Sequence, residues 1–137
     1  MKAPEYLNHK PIISVNDYDK IDGIYANKTD VRALSIGQAQ YDEDEISVKI
    51  WRHTGEKWSR QSEEMPIHRA LDICILTIAA FMTDISSKYP LTSLREEIVQ
   101  EGRVQEIIDY YKQNENTLKP RLEELKKILD KFLEKKK

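Results

Sequence analysis

Leu34-Ser35-Ile36-Gly37-Gln38-Ala39-Gln40-Tyr41, then Asp42-Glu43-Asp44-Glu45, then Ile46-Ser47-Val48-Lys49-Ile50-Trp51 decide the fold class of this chain. Leu34, Ile36, Gln38 and Gln40 alternate with Ser35, Gly37, Ala39 and Tyr41, and Ile46, Val48 and Ile50 alternate with Ser47, Lys49 and Trp51. Alternation with a period of two marks half-buried strands. The four carboxylates between them are too charged for anything but a turn. A solvated hairpin tip is preferred there over a cation site, because the EF-hand spacing with its Gly and terminal Glu is missing. Ile36, Val48 and Ile50 are expected on the core face, since a one-residue slip would expose all three. Pairing Asp42 with Ile46 achieves this with a three-residue loop. It sets Gly37 opposite Trp51, whose ring then covers bare backbone. The far face becomes a shallow trough of Ser35, Gly37, Ala39 and Tyr41 beside Ser47, Lys49, Trp51 and His53.

Upstream, Ile12-Ile13-Ser14-Val15 is set off by Pro11 and Asn16 as a short strand, and Asp22-Gly23 is a turn signal. Downstream, Ser62 or Met65 caps a helix with Pro66 in its first turn, where the missing N–H is harmless. The pattern carries this helix to about Ser86. From Ile73 to Met82 it is apolar nearly all round, the mark of a buried helix. Ser93-Leu94-Arg95-Glu96 reads as a capping box. Leu94, Ile98, Val104, Ile107, Ile108 and Tyr111 form the next apolar stripe, with a break expected at Gly102. The last helix carries Leu118, Leu122, Leu125, Leu129 and Phe132 at spacings of 4, 3, 4, 3. Fewer than three heptads suit antiparallel packing on the preceding helix better than a coiled coil.

These readings give an α+β fold: a small antiparallel sheet packed on a buried central helix, followed by amphipathic C-terminal helices. The 137 residues fit one domain, 1–137, with strands and turns over 1–56 and helices over 62–137. The net charge of −2 gives no global field toward nucleic acid or acidic membranes. Charge is uneven, however. Residues 119–137 hold eight Lys/Arg and four Asp/Glu, a net of +4, which leaves −6 for the rest. Lysines at a helix C-terminus meet its outward carbonyl dipoles favourably. The one cysteine, Cys74, excludes an internal disulfide and falls in the apolar run as a buried thiol. The N-terminal residues, with Pro4, Glu5 and Asn8 and no apolar core region, are not expected to act as a signal peptide, and the longest apolar run, about ten residues, is far short of a span. A cytoplasmic protein with no membrane association is expected.

Chemistry-bearing residues concentrate between Trp51 and Asp72. Both tryptophans and two of the three histidines lie there. Glu64, His68 and Asp72 at i, i+4, i+8 share one helix face, and imidazole with carboxylate suits zinc, manganese or iron. His53 or Glu63 would complete such a set. A structural pairing of His68 with Asp72 or Glu64 is favoured over the metal, so no cofactor is assigned. Arg52, Lys57, Arg60 and Arg69 surround the helix start and fit an anion, but Glu63 and Glu64 already occupy that turn. Arg52, directed to the core face, needs a carboxylate from Glu63, Glu64 or Asp72. No serine sits in a nucleophile elbow. Trp51, Trp58 and Tyr41 with Lys49, Arg52 and Arg60 could stack single-stranded nucleic acid, but the near-neutral charge and the acidic hairpin argue against it.

The run from Leu34 to Gln40, through Ile50-Trp51-Arg52, to Trp58-Ser59-Arg60-Gln61-Ser62-Glu63-Glu64 and Pro66-Ile67-His68-Arg69 resembles a family of small bacterial proteins of unknown function, over about residues 34–76. The resemblance implies a bacterial cytoplasmic origin. It supplies no activity and carries over no functional residue.

The functional expectation is a binding or interaction module with a Trp/Arg/Glu/His cluster at the sheet–helix junction. Its candidate residues are Trp51, Arg52, Trp58, Arg60, Glu64, His68, Arg69 and Asp72. The alternative is a small metal-dependent hydrolase using Glu64, His68 and Asp72. The partner is expected to be a protein or small molecule, and the C-terminal helices offer a surface for homo-oligomerisation.

Overall fold

The alternating segments form strands. In the computed structural model, which describes residues 1–60, 62–84 and 88–135, β1 (Lys10–Asn16), β2 (Val31–Gln38), β3 (Ile46–Arg52) and β4 (Glu63–Pro66) make one antiparallel sheet in sequence order. The described α-helices are α1 (Ile67–Phe81), α2 (Val104–Gln113) and α3 (Glu115–Lys135). The α+β class therefore holds. The chain divides into two compact units, Met1–Cys74 and Ile75–Lys137.

The hairpin register differs from the expected one by four residues. Ile36 pairs with Val48 and Gly37 with Ser47, so Trp51 faces Ala33 rather than Gly37. Residues 39–45 form the connection, longer than the three-residue loop expected. An Asx turn at its tip explains the length: the Asp44 amide donates to Asp42 Oδ1 at 2.9 Å, and the Glu45 amide to the Asp42 carbonyl at 3.0 Å. The longer loop also frees the Gln40 amide to donate to Glu64 Oε2 at 3.0 Å.

A four-residue shift preserves side-chain parity, so Ile36, Val48 and Ile50 do share a face. Two rows cross that face: Ile13, Ile36, Val48, Met65, all apolar, and Val15, Leu34, Ile50, which ends at Glu63. It is not the enclosed face. The buried residues of these strands lie on the reverse side, at Val31, Ala33, Ser35, Ser47 and Trp51, with Ala39 just beyond β2. The trough of small residues exists, and His9, just before β1, fills it. Small side chains at Ser35, Gly37 and Ser47 leave the room an imidazole needs.

Gly37 has a different role from the one expected. β1 carries a bulge between Pro11 and Ile13 and crosses directly over Gly37. A Cβ there would meet the Lys10 carbonyl oxygen and lie 2.8 Å from both Ile12 N and Pro11 Cα.

The central helix starts later than expected. Glu63 to Pro66 are extended and pair with Ile50 to Ser47, so Pro66 ends a strand, where it sacrifices no ladder bond inside the sheet. Arg52 holds Glu63, and Ser47 with the Gln40 amide holds Glu64, which fixes both residues in strand geometry. The helix is not the core either. Of its residues only Ala79 is buried, while Leu76 is 46% exposed. Its expected end at Ser86 lies outside the described residues. Cys74 is half-buried.

In the second unit, the expected capping box at Ser93 starts no helix. Glu96 turns back to accept from the amides of Leu91 (2.7 Å) and Thr92 (3.2 Å) and from the Thr92 hydroxyl (2.6 Å), closing a loop. Arg95, inside that sequence, has φ 59°, incompatible with a helix interior. The helix begins at Val104, after a 3-10 turn at Glu101–Arg103 that contains the break residue Gly102. The Phe81 and Tyr111 rings meet at 5.0 Å. Asn114 alone separates α2 from α3, and the Leu118 amide already donates to its carbonyl. One residue cannot reverse the chain, so α3 does not fold back antiparallel on α2.

Gly37→Ala should destabilise the chain by about 1–3 kcal/mol or more, as an overpacked position does. Chemical denaturation measures this, and a change under about 0.5 kcal/mol, ordinary for a surface site, would contradict the close crossing of β1.

Candidate functional site

The enclosed side of the sheet holds one chain of polar contacts. His9, with no exposed surface, lies between two serines: Nε2 is 2.9 Å from Ser35 Oγ and Nδ1 is 2.9 Å from Ser47 Oγ. The Trp51 indole N–H donates to Ser35 Oγ at 2.8 Å, and Ser47 Oγ donates to Glu64 Oε2 at 2.8 Å. β2, β3 and β4 present these groups because Ser35, Lys49 and Glu64 form one cross-strand row and Gly37, Ser47 and Pro66 the next.

Donor counting fixes every proton. A carboxylate only accepts, so Ser47 gives its hydrogen to Glu64 and must accept from His9 Nδ1–H. Burial lowers the His9 pKa, and the nearby Glu64 carboxylate, 3.5 Å from Nδ1, offsets this only in part. The ring is therefore neutral at neutral pH. Nε2 is then an acceptor, and it takes the Ser35 hydrogen while Ser35 accepts from Trp51. The direction runs from Trp51 through Ser35 to His9, and from His9 through Ser47 to Glu64.

Aromatic contacts complete the cluster. Trp51, 1% exposed, meets His9 and Trp58 edge-on at 5.7 and 5.6 Å, and His53 meets Trp58 at 4.9 Å. Lys49 Nζ sits 4.1 Å from the Trp51 ring centroid, a cation–π position. Desolvation lowers the Lys49 pKa, against the pull of Glu64. Glu64 Oε1 is buried with no hydrogen-bond partner among the described residues.

The proton order, hydroxyl to Nε2 and Nδ1–H toward an acid, is the order of a serine–histidine–acid relay. Access is not. Ser35 and Ser47 are buried, and the Ser35 oxygen already accepts the indole hydrogen. The arrangement locks four segments together and presents no nucleophile to a substrate.

Of the residues singled out from sequence, Trp51, Trp58 and Glu64 join this cluster. Arg52 does not. It points to the opposite face and pairs with Asp30 (2.7 Å) and Glu63 (3.0 Å). A guanidinium–carboxylate pair was expected there and is present; Asp30 was not anticipated. Glu64 sits in β4 rather than on the helix, so the i, i+4, i+8 alignment with His68 and Asp72 does not exist. No hydrogen bond or ion pair among the described residues joins His68 or Asp72 to Glu64, and no group of three potential ligands gathers around a cation position among those residues. His68, Arg69 and Arg60 are exposed, and Asp72 is half-buried.

The opposite face is open. Ile13, 69% exposed, and Val15, Leu34, Ile36, Val48, Ile50 and Met65 line an apolar concavity with Ala70 and Ile73 of α1, with a cavity volume of about 550 Å³. Glu63 lines it and pairs with Arg52, which also pairs with Asp30; Arg32 pairs with Asp19 at 3.0 Å elsewhere in the same unit.

A family model described as a family of unknown function, DUF6530, matches residues 1–98. The chain belongs to that family. The match takes in the whole sheet, including β1 and His9, which lie before the stretch whose sequence resembled a family. No curated protein and no solved structure matches the chain.

The site yields a spectroscopic prediction. At neutral pH the His9 ring should be the neutral Nδ1–H tautomer, visible in the 15N shifts of the imidazole; the Nε2–H form would overturn the proton order. A pH dependence follows with a definite sign. The folded pKa lies below the ordinary 6.5, so the unfolded chain takes up a proton first as pH falls. The contribution is complete above about 6.5 and is lost below it. The drop in melting temperature from about pH 7.5 to 5.5, the window in which imidazoles titrate, should be smaller in His9→Gln than in the parent chain.

Proposed function

We propose that this protein is a non-catalytic interaction module whose binding surface is the open apolar face of its sheet. The supporting observation is the asymmetry of the sheet. One face is sealed by His9, Trp51 and their partners, while the aliphatic rows through Ile36, Val48, Leu34 and Ile50 stay accessible. A contiguous apolar surface bordered by polar residues marks a recognition site. The expected cluster at the sheet–helix junction thus serves as scaffold, and the surface lies behind it.

The occupant is an amphipathic helix of a protein partner. Four strands at about 4.8 Å spacing span roughly 14 Å, the width of one helix. The mainly aliphatic lining asks for little charge on the buried face of that helix. The concavity is shallow, as protein surfaces are, in contrast to the enclosed pockets that bury a small molecule. We place the module in the bacterial cytoplasm, where a lone free thiol such as Cys74 stays reduced.

Peptides selected for binding from a randomised helical library test this reading. They should carry aliphatic or aromatic residues at i, i+3, i+4 and i+7. Their NMR perturbations should fall on Ile13, Leu34, Ile36, Val48 and Ile50, and Ile13→Lys should weaken binding about tenfold or more while leaving the melting temperature nearly unchanged. Perturbations centred on His53, Trp58 and Arg60 would move the surface to the other side of the sheet.

A further inference from the structure

A separate surface lies on α3. Leu118, Leu122, Leu125, Leu129 and Phe132 are spaced as d, a, d, a, d of a heptad. Because α3 leaves α2 after one residue, its distal half is not covered by α2. Ile128 is 58% exposed, and Leu129 and Leu133 about half exposed. The residues bordering the seam then fall at e, as Lys119, Lys126 and Leu133, and at g, as Arg121, Ile128 and Lys135. Every charged border position is basic. The acids Glu123, Glu124, Asp130 and Glu134 all lie at b, c or f, away from the seam. Lys126 reaches one of them, Asp130, at 2.8 Å along the helix surface.

This segregation selects the occupant. In a parallel pair of two copies, g faces e of the partner; in an antiparallel pair, e faces e and g faces g. Either way the charged border residues meet only like charge, which is unfavourable. A second copy is therefore a poor fit for this seam. An anionic lipid surface is also a poor fit. The eight Lys/Arg of residues 118–137 are interspersed with four Asp/Glu and their longest run is three lysines, whereas lipid-binding segments present clusters of about four to eight Lys/Arg.

We infer that the distal seam of α3 docks an α-helix of another protein that is apolar at a and d and acidic at e and g. Apolar burial along Leu125 and Leu129 supplies the contact, and Lys119, Lys126 and Lys135 choose the partner. This surface is independent of the sheet face, and its test stands apart from that of the sheet.

The full chain is titrated with a synthetic helix of about four heptads carrying Leu at a and d and Glu at e and g. A control peptide carries Lys at e and g. The acidic peptide should bind at least about tenfold tighter than the basic one and weaken as salt rises, since exposed charges are screened over about 10 Å at 0.1 M. Leu129→Asp should weaken it about tenfold or more with an unchanged circular dichroism spectrum. The double variant Lys119→Glu, Lys126→Glu, which leaves the apolar seam intact, should reverse the preference between the two peptides. Equal binding of both peptides would overturn the inference. So would a self-dimer in sedimentation that Leu129→Asp dissociates, or binding to phosphatidylserine vesicles without binding to the acidic peptide.

Discussion

A neutral imidazole held between two serines organises this fold. His9 takes a hydrogen from Ser35 on β2 and gives one to Ser47 on β3. Those serines tie in Trp51 and Glu64, so one side chain from the N-terminal segment connects three strands. Each link is worth about 1 kcal/mol net, but leaving any member unpaired in the interior costs about 1–3 kcal/mol. The network is thus more demanding than it is stabilising. It tolerates one register and one proton arrangement, and it specifies the sheet more than it strengthens it.

That constraint explains why the apolar face stays open. A sheet with one enclosed side normally encloses its aliphatic residues. Here Ala33, Ser35, Gly37 and Ser47 are small, so the volume above them is filled by His9 and the large ring of Trp51. The aliphatic rows on the reverse side are left half-buried to exposed. The face left open is hydrophobic and ordered by the strands beneath it.

β1, β2 and β3 were legible in the sequence because alternation is a local signal, whereas β4, four residues ending in a proline, read as the start of a helix. Ile36, Val48 and Ile50 were placed correctly on one face by parity alone. Which face is enclosed was not legible, since that depends on His9, remote from the hairpin in sequence and set in a weakly patterned stretch. The hint was chemical: a tryptophan among small residues on the supposed outer face calls for something to pack against it. Glu64 misled for a related reason. At helical spacing from His68 it suggested a ligand face, but long-range bonds from Ser47 and Gln40 draw it into a strand. The capping-box pattern at Ser93 failed in the same way, because Glu96 found better donors at Leu91 and Thr92. The apolar run of α1 identified a helix but not its surroundings, which no local pattern encodes.

The proline at either margin of the sheet has a consequence for how the protein coexists with its neighbours. Pro11 and the adjoining bulge interrupt the outer edge of β1, and β4 is four residues long and ends at Pro66. Both margins therefore offer an incomplete row of hydrogen-bonding groups to an approaching strand, the usual defence against cross-chain β-pairing. Growth of the sheet by strand addition, whether by a ligand peptide or in runaway aggregation, is disfavoured at both edges. The protein can expose a row of branched aliphatic residues and still resist polymerising through its backbone.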